Sequence, residues 1–162
     1  MKKQKYYIQF SAAVWCLSLV AAPFFAHEGK SLSSFSDFLY FFYSPLCHQL
    51  DAFSFHLFGE KFAVCIRCSS IYFSFFIGTL CALSIPAPKN IRIFLLIIFL
   101  PTLFDVGFNT VGMYHSSTVS RIVTGSLLGF GLAVALTDNL NETFHYLISS
   151  FSRIKNYAFK TR

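Results

Sequence analysis

The sequence has few charged residues. Of its 162 residues, 12% are Asp, Glu, Lys or Arg, whereas 55% are hydrophobic and 22 are Phe. In soluble domains about a quarter of the residues are charged. This composition therefore excludes an ordinary soluble domain and indicates a membrane protein. The formal net charge of +6 does not indicate nucleic-acid binding, because the basic residues flank apolar segments instead of forming a polar patch.

The sequence also lacks the common catalytic motifs. It contains no phosphate-binding loop, nucleophile elbow or metalloprotease helix motif, and no internal repeat or low-complexity tract. The length allows one bundle of about four spans and leaves no room for a separate soluble catalytic domain. We therefore expect a single membrane domain over residues 1–162, and we favour a role other than catalysis.

Four apolar segments reach the length of a bilayer, at residues 6–26, 69–85, 91–113 and 119–137. They predict an all-α fold, a membrane helical bundle of about four transmembrane helices with short interfacial helices. Between the first two spans, residues 27–68 form a long loop whose aromatic run, residues 35–43, is too short to span and predicts an interfacial or re-entrant helix. Residues 138–162 predict an amphipathic helix on the cytoplasmic surface.

The basic residues predict the orientation. With the N-terminus inside, nine of the 13 Lys and Arg residues lie on the cytoplasmic side, as the positive-inside rule requires. We expect both termini in the cytoplasm, loop 27–68 outside, and a bacterial inner membrane as the location. The first span also resembles a secretory signal, but Phe24 stands where cleavage needs a small residue, which favours an uncleaved anchor.

The reactive side chains are concentrated in the outer loop, as Cys47-His48 followed by Cys65-Ile66-Arg67-Cys68. Cys65 and Cys68 are spaced i and i+3 at the expected start of a helix, where backbone N–H groups and Arg67 favour thiolates. Together these residues predict a Cys3His metal site for zinc, with copper as the less favoured ion. Two alternatives are a working dithiol and a plain disulfide formed in an oxidising compartment.

Two charged residues lie at membrane depth. Asp105 in the third span and Arg121 in the fourth are expected at similar depth, where they form a salt bridge or, together with Arg67, support the metal ligands. In the fourth span, Gly125 and Gly129 form a GxxxG pattern, which allows close helix packing. We expect this packing mainly within the chain, and a homodimer face is the alternative.

Several of these motifs resemble one family. The sequence resembles the signature of a family of small bacterial membrane proteins called domain of unknown function 2085. The matching residues are Cys47-His48-Gln49, Ser54-Phe55, Gly59, residues 64–68 and Ile71-Tyr72. Asp105 and residues 121–125 resemble its later elements, so the resemblance covers about residues 47–131. The sequence departs from the pattern in four places, with Phe53 for Arg, Ala63 for Pro, and Ser70 and Ser74 for Gly. The resemblance implies a multi-span membrane protein and supplies no activity.

Three functions fit these features. The first is a membrane protein with an outward-facing Cys/His metal site, which acts as a structural lock or handles the metal. The second is a membrane thiol-disulfide oxidoreductase that uses Cys65 and Cys68 with Cys47 as a third thiol. The third is a small partner subunit of a membrane complex, for which the GxxxG pattern and the aromatic loop are the support. In each case the lipid bilayer surrounds the protein.

Overall fold

A computed structural model describes residues 2–27, 33–82, 88–113 and 115–136, with side chains from residue 5 onward. Five α-helices make up most of this part, and their bounds are α1 Lys2–His27, α2 Ser33–Tyr43, α3 Ile66–Cys81, α4 Ile91–Thr110 and α5 Thr118–Leu136. A short 3-10 turn, Asp51–Phe53, and a hairpin of strands β1 Ser54–Leu57 and β2 Glu60–Cys65 connect α2 to α3. The predicted all-α membrane bundle is confirmed.

Among the described residues, three helices are long and apolar enough to cross a bilayer, namely α1, α4 and α5. The remaining predicted span corresponds to α3. This helix has 16 residues and begins at Ile66, whereas the sequence predicted a start at residue 69. Helix α4 is the most apolar, and only 11% of its most hydrophobic window is buried inside the protein, so its side chains face outward, as suits a helix in lipid. The predicted cytoplasmic helix at 138–162 lies outside the described residues.

Side-chain contacts define how the spans pack. Helix α3 runs antiparallel to α1, because Gln9 Nε2 donates to the carbonyl oxygen of Thr79 at 3.1 Å and Cys16 Sγ contacts that of Tyr72 at 3.4 Å. Helix α5 runs parallel to α3, because Gly125 lies against Arg67 and Gly129 lies against Ile71. It runs antiparallel to α4, because Ser120 contacts Asp105 whereas Gly131 lies against Ile98. Thr102 Oγ1 of α4 donates to the carbonyl oxygen of Thr124 in α5 at 3.2 Å.

Helix α2 folds back along the C-terminal half of α1. Ser36 Oγ donates to the carbonyl oxygen of Ala22 at 2.8 Å, and the Tyr43 hydroxyl contacts Ser18 Oγ at 2.5 Å. Its first residue, Ser33, precedes the aromatic run that predicted it. Because α2 reverses direction, its C-terminal end returns to the middle of α1, and the chain that follows α2 lies beside the bundle.

The hairpin was not predicted. Its strands pair antiparallel, with Leu57 opposite Glu60, and the turn consists of Phe58 at φ 56° and Gly59 at φ 85°. Two residues with positive φ are typical of the tight turn that matches the twist of paired strands, and glycine adopts this conformation without a steric penalty. The hairpin returns the chain to the start of α3.

A small hydrophobic core joins α1, α2 and β2. Its buried residues are Leu19, Ala22, Leu39, Tyr43, Cys47, Ala63 and Val64. The Trp15 ring packs at this core, with its centroid 5.3 Å from that of Tyr43 and 5.7 Å from that of Tyr72. These contacts fix the C-terminal ends of α2 and β2 next to each other, which brings two distant stretches of sequence together.

Candidate metal centre

Three cysteines converge where α2, β2 and α3 meet. The Sγ atoms of Cys47, Cys65 and Cys68 all lie within 4.8 Å of one another, and all three are free thiols. Zinc–sulfur bonds of about 2.3 Å place tetrahedral sulfur ligands about 3.8 Å apart. The cluster is therefore compact enough to bind one ion with small side-chain adjustments.

The segment after α2 positions Cys47. Its backbone N–H donates to the carbonyl oxygen of Tyr43 at 3.1 Å, which extends the end of α2 by a turn. Gln49 then adopts a positive φ of 50°, and its side-chain amide donates to the carbonyl oxygen of Tyr40 at 2.7 Å. Lys61 of β2 donates to the Gln49 carbonyl oxygen at 3.1 Å. Cys47 is thus held between α2 and the hairpin.

The junction of β2 and α3 positions the other two thiols. Cys65 ends β2 and occupies the N-cap position of α3, and Cys68 lies in the first turn. The backbone N–H of Cys65 donates to Cys47 Sγ at 3.1 Å. Hydrogen bonds from the Cys65 and Cys68 side chains lower the pKa of the Cys47 thiol well below its usual value, against the opposing effect of burial. A thiolate is the form that binds metals and attacks disulfides.

His48 lies at the edge of the site. It is exposed, and neither ring nitrogen belongs to the group of atoms that lie within 4.8 Å of one another. It does line the same cavity of about 250 Å³, so the structure brings three of the four predicted ligands together and leaves the fourth at the rim. The cavity is lined by Leu46, Cys47, His48, Leu50, Phe53, Cys65, Arg67, Cys68 and Arg121.

The predicted salt bridge between Asp105 and Arg121 is wrong. Asp105 instead pairs with Arg67, whose Nη2 contacts its Oδ2. The Asp105 carboxylate also accepts hydrogen bonds from the Ser116 and Ser120 hydroxyls. The start of α3 lies at the depth of Asp105, so Arg67 reaches the carboxylate across the helix interface.

Arg121 makes different contacts. Its Nε donates to the carbonyl oxygen of Ser116 at 3.3 Å, and its guanidinium carbon lies 3.9 Å from the centroid of the Phe53 ring. A cation over an aromatic face is attracted by the ring quadrupole. Within the described ranges, no carboxylate pairs with Arg121. No pattern in the sequence indicated Phe53, Ser116 or Ser120 as contacts of these charges.

The two glycines of the GxxxG pattern lie against α3. A β-carbon on Gly125 would be 2.7 Å from the carbonyl oxygen of Arg67, and one on Gly129 would overlap the carbonyl oxygen of Ile71. Only glycine allows this approach. Since Arg121 lies one turn before Gly125, the close contact between α5 and α3 also places Arg121 at the cavity of the thiols.

Comparison with known proteins finds two relatives and one family of predicted membrane proteins. The chain matches an uncharacterised protein of Methanocaldococcus jannaschii, 34% identical over 138 residues, which cover 80% of this chain and 88% of the relative. It also matches an uncharacterised protein of Methanothermobacter thermautotrophicus, 36% identical over 91 residues, which cover 55% and 82%. No solved structure matches. The family described as predicted membrane protein (DUF2085) matches residues 47–135, from the first cysteine of the site to the last turn of α5, and the chain belongs to this family.

Proposed function

We propose that the protein is an integral membrane protein that binds a thiophilic metal ion, zinc in preference to copper, through Cys47, Cys65 and Cys68. One observation carries the proposal, namely that three sulfurs from two separate stretches of chain lie within 4.8 Å of one another. Thiolates select zinc, copper(I) and iron–sulfur clusters over hard cations. Burial of Cys47 and partial burial of the other two protect the ion from competing ligands.

The arrangement favours a site that loads and releases its ion. Structural zinc sites are closed by four protein ligands, whereas sites with three protein ligands keep a fourth position for water or another ligand. Here the three sulfurs border a cavity of about 250 Å³ that reaches exposed His48 at its rim. His48 can take part in transfer of the ion between the rim and the sulfurs. We therefore favour metal handling over a structural lock.

Metal analysis tests the proposal. Full-length protein is purified in detergent under reducing conditions, and bound metal is measured by mass spectrometry for wild type, Cys65→Ser and Cys68→Ser. We expect about one zinc per chain in the wild type and less than a tenth of that in each variant. Cys81→Ser is the matched control, because Cys81 lies at the far end of α3. A metal-free wild type that remains metal-free after incubation with zinc would contradict the proposal.

Thiol-disulfide exchange is a second candidate. The observation in its favour is a Cys-x-x-Cys pair at the start of α3 with a third sulfur, that of Cys47, in the same cluster. In this reaction Cys65 and Cys68 form a disulfide and pass two electrons and two protons to an external disulfide, which becomes two thiols. A variant with both Cys47→Ser and Cys68→Ser should then accumulate a mixed disulfide through Cys65, because no thiol of the cluster is left to release the external partner. Absence of that species in membranes under oxidising conditions would exclude this reaction.

We also propose that the thiol site faces the extracytoplasmic side and that both termini are cytoplasmic. The distribution of Lys and Arg supports this orientation. The relatives described above are archaeal, so a bacterial inner membrane is one setting in which the proposal applies and an archaeal cytoplasmic membrane is another.

A further inference from the structure

We propose that Arg121 selects a divalent ion over a monovalent one at the thiol site. The inference rests on the proposed metal-binding function and assigns this arginine a role in the choice of ion. In this role Arg121 supplies the positive charge that balances a complex of three thiolates and one divalent ion. It does not touch the ion and is a specificity-determining residue.

The first step is that Arg121 is a buried cation without a matching anion. Its exposed fraction is 7%, and its contacts are the Ser116 carbonyl oxygen and the Phe53 ring. Neither partner carries a negative charge, and no carboxylate of the described segments pairs with it. A buried charge that lacks a counter-charge is strongly unfavourable. The protein therefore needs a negative charge close to Arg121 when the site is in use.

The second step is that Asp105 cannot meet this need. Its carboxylate pairs with Arg67 and accepts hydrogen bonds from the Ser116 and Ser120 hydroxyls. Arg67 and Asp105 neutralise each other, so they add no net charge to the cavity. The remaining source of negative charge around the cavity that Arg121 lines is the group of three thiols.

The third step compares the possible states of the site. Three thiolates with a divalent ion carry a net charge of −1, which Arg121 balances. Without an ion, a thiolate at Cys47, which accepts the Cys65 N–H, carries the −1 that balances Arg121. Three thiolates with copper(I) carry −2 and leave an excess negative charge in a partly buried site, and copper(I) with two thiolates is balanced but leaves the third sulfur protonated. All three sulfurs can therefore be ionised without excess charge only around a divalent ion. Because partly buried charges are weakly screened, the divalent complex is the state that this cavity stabilises best.

The test is a competition between zinc(II) and copper(I) on full-length protein in detergent, without oxygen, with colorimetric chelators of known affinity. In Arg121→Gln we expect the zinc-to-copper affinity ratio to fall by about tenfold or more, the range of effects for residues that support metal ligands. Arg121→Lys keeps the charge and should keep the ratio within about threefold of wild type. Arg92→Gln, at the start of α4, is the control for loss of an arginine elsewhere.

A second variant removes the effect of Arg121 without removing its side chain. Phe53→Glu places a carboxylate against the guanidinium and should lower the ratio as Arg121→Gln does, whereas Phe53→Gln should not. Phe53 is 38% exposed, so both variants are expected to fold. If the wild type binds metal but the zinc-to-copper affinity ratio is unchanged in both Arg121→Gln and Phe53→Glu, the inference about Arg121 is overturned and the proposed metal binding stands. Wild type that binds neither ion would overturn the proposed function and the inference with it.

Discussion

Arg67, in the first turn of α3, forms an ion pair with Asp105 of α4, and both side chains are largely buried. Arg67 lies in sequence between two of the clustered cysteines, so the pair connects the ligand-bearing turn to the transmembrane bundle. Ser116 strengthens this connection, because its hydroxyl contacts both Asp105 oxygens, at 3.0 and 2.9 Å. The position of the thiols therefore depends on α4 as well as on α3.

Loss of the Asp105 charge should destabilise the protein. Asp105→Asn leaves Arg67 as an uncompensated buried charge, and we expect the free energy of unfolding to fall by about 3–5 kcal/mol. Ser120→Ala removes a neutral donor to the same carboxylate and should cost about 1 kcal/mol. Unfolding in mixed micelles by titration with a denaturing detergent measures both changes. Equal stability of wild type and Asp105→Asn would show that the pair is not coupled to folding.

The contact between α5 and α3 should tolerate no added methyl group. In Gly129→Ala the β-carbon meets the carbonyl oxygen of Ile71 and the Ser74 hydroxyl, so the helices must separate, at a cost of about 1–3 kcal/mol. Gly107 in α4 is the matched control, because a β-carbon there meets nothing within 4 Å. Gly107→Ala should be neutral or stabilise α4 by about 0.5–1 kcal/mol. The same unfolding assay compares the two, and the reverse order of stabilities would contradict the described packing.

Removal of the metal should lower the thermal stability of the wild type. An ion present at 100 times its dissociation constant contributes about 2.7 kcal/mol, and a chelator removes that contribution. Thermal denaturation with and without chelator measures the shift. In Cys65→Ser the two curves should coincide, and a chelator effect of equal size in that variant would assign the stabilisation to another site.

His48 should matter less than the cysteines. Because its ring nitrogens lie outside the sulfur cluster, we expect His48→Ala to keep the metal stoichiometry of the wild type and to lose less than about tenfold in affinity. Cys68→Ser should lose the ion altogether. Titration with zinc in the presence of a chromophoric chelator distinguishes the two. Complete loss of zinc in His48→Ala would instead show that a histidine closes the coordination shell.

The orientation can be measured on cells. Glu60, the exposed first residue of β2, and Lys89, which precedes α4, lie on opposite sides of α3 along the chain, and each is replaced by cysteine. A membrane-impermeant maleimide should label Glu60→Cys on intact cells, whereas Lys89→Cys should react only after permeabilisation. Peptide-resolved mass spectrometry separates these sites from the native thiols. Labelling in the opposite order would place the cluster in the cytoplasm.

The architecture was predictable where a single physical requirement dominates the sequence. Bilayer length and low charge identified α1, α4 and α5, and they located α3 to within a few residues. The cysteines were found because Cys47, Cys65 and Cys68 lie close together in sequence with His48, and these are the side chains that bind zinc or copper. The aromatic run predicted α2 because side chains such as Phe38 and Phe41 are too apolar for a solvated loop.

The partners of the charges were not predictable in the same way. Sequence gives the depth of Asp105 in the membrane, but not the direction in which its side chain points around the helix axis. Arg67 and Arg121 lie at similar depth, and the choice between them depends on how closely α5 approaches α3, which Gly125 and Gly129 determine. The hairpin was missed because its strands have four and six residues, and their signal was concentrated in the Phe58-Gly59 turn.

The hairpin lies between two anchors along the chain, Cys47 at one end and Cys65 at the other. An ion bound by these thiols would close residues 48–64 into a ring and restrict the conformational freedom of the hairpin within it. Release of the ion would open this ring, whereas the contact of Phe58 with His27 at the end of α1 would remain. The hairpin would then depend on the packing of Ala63 and Val64 against α1 and α2, so we expect its backbone to be less ordered in the metal-free protein.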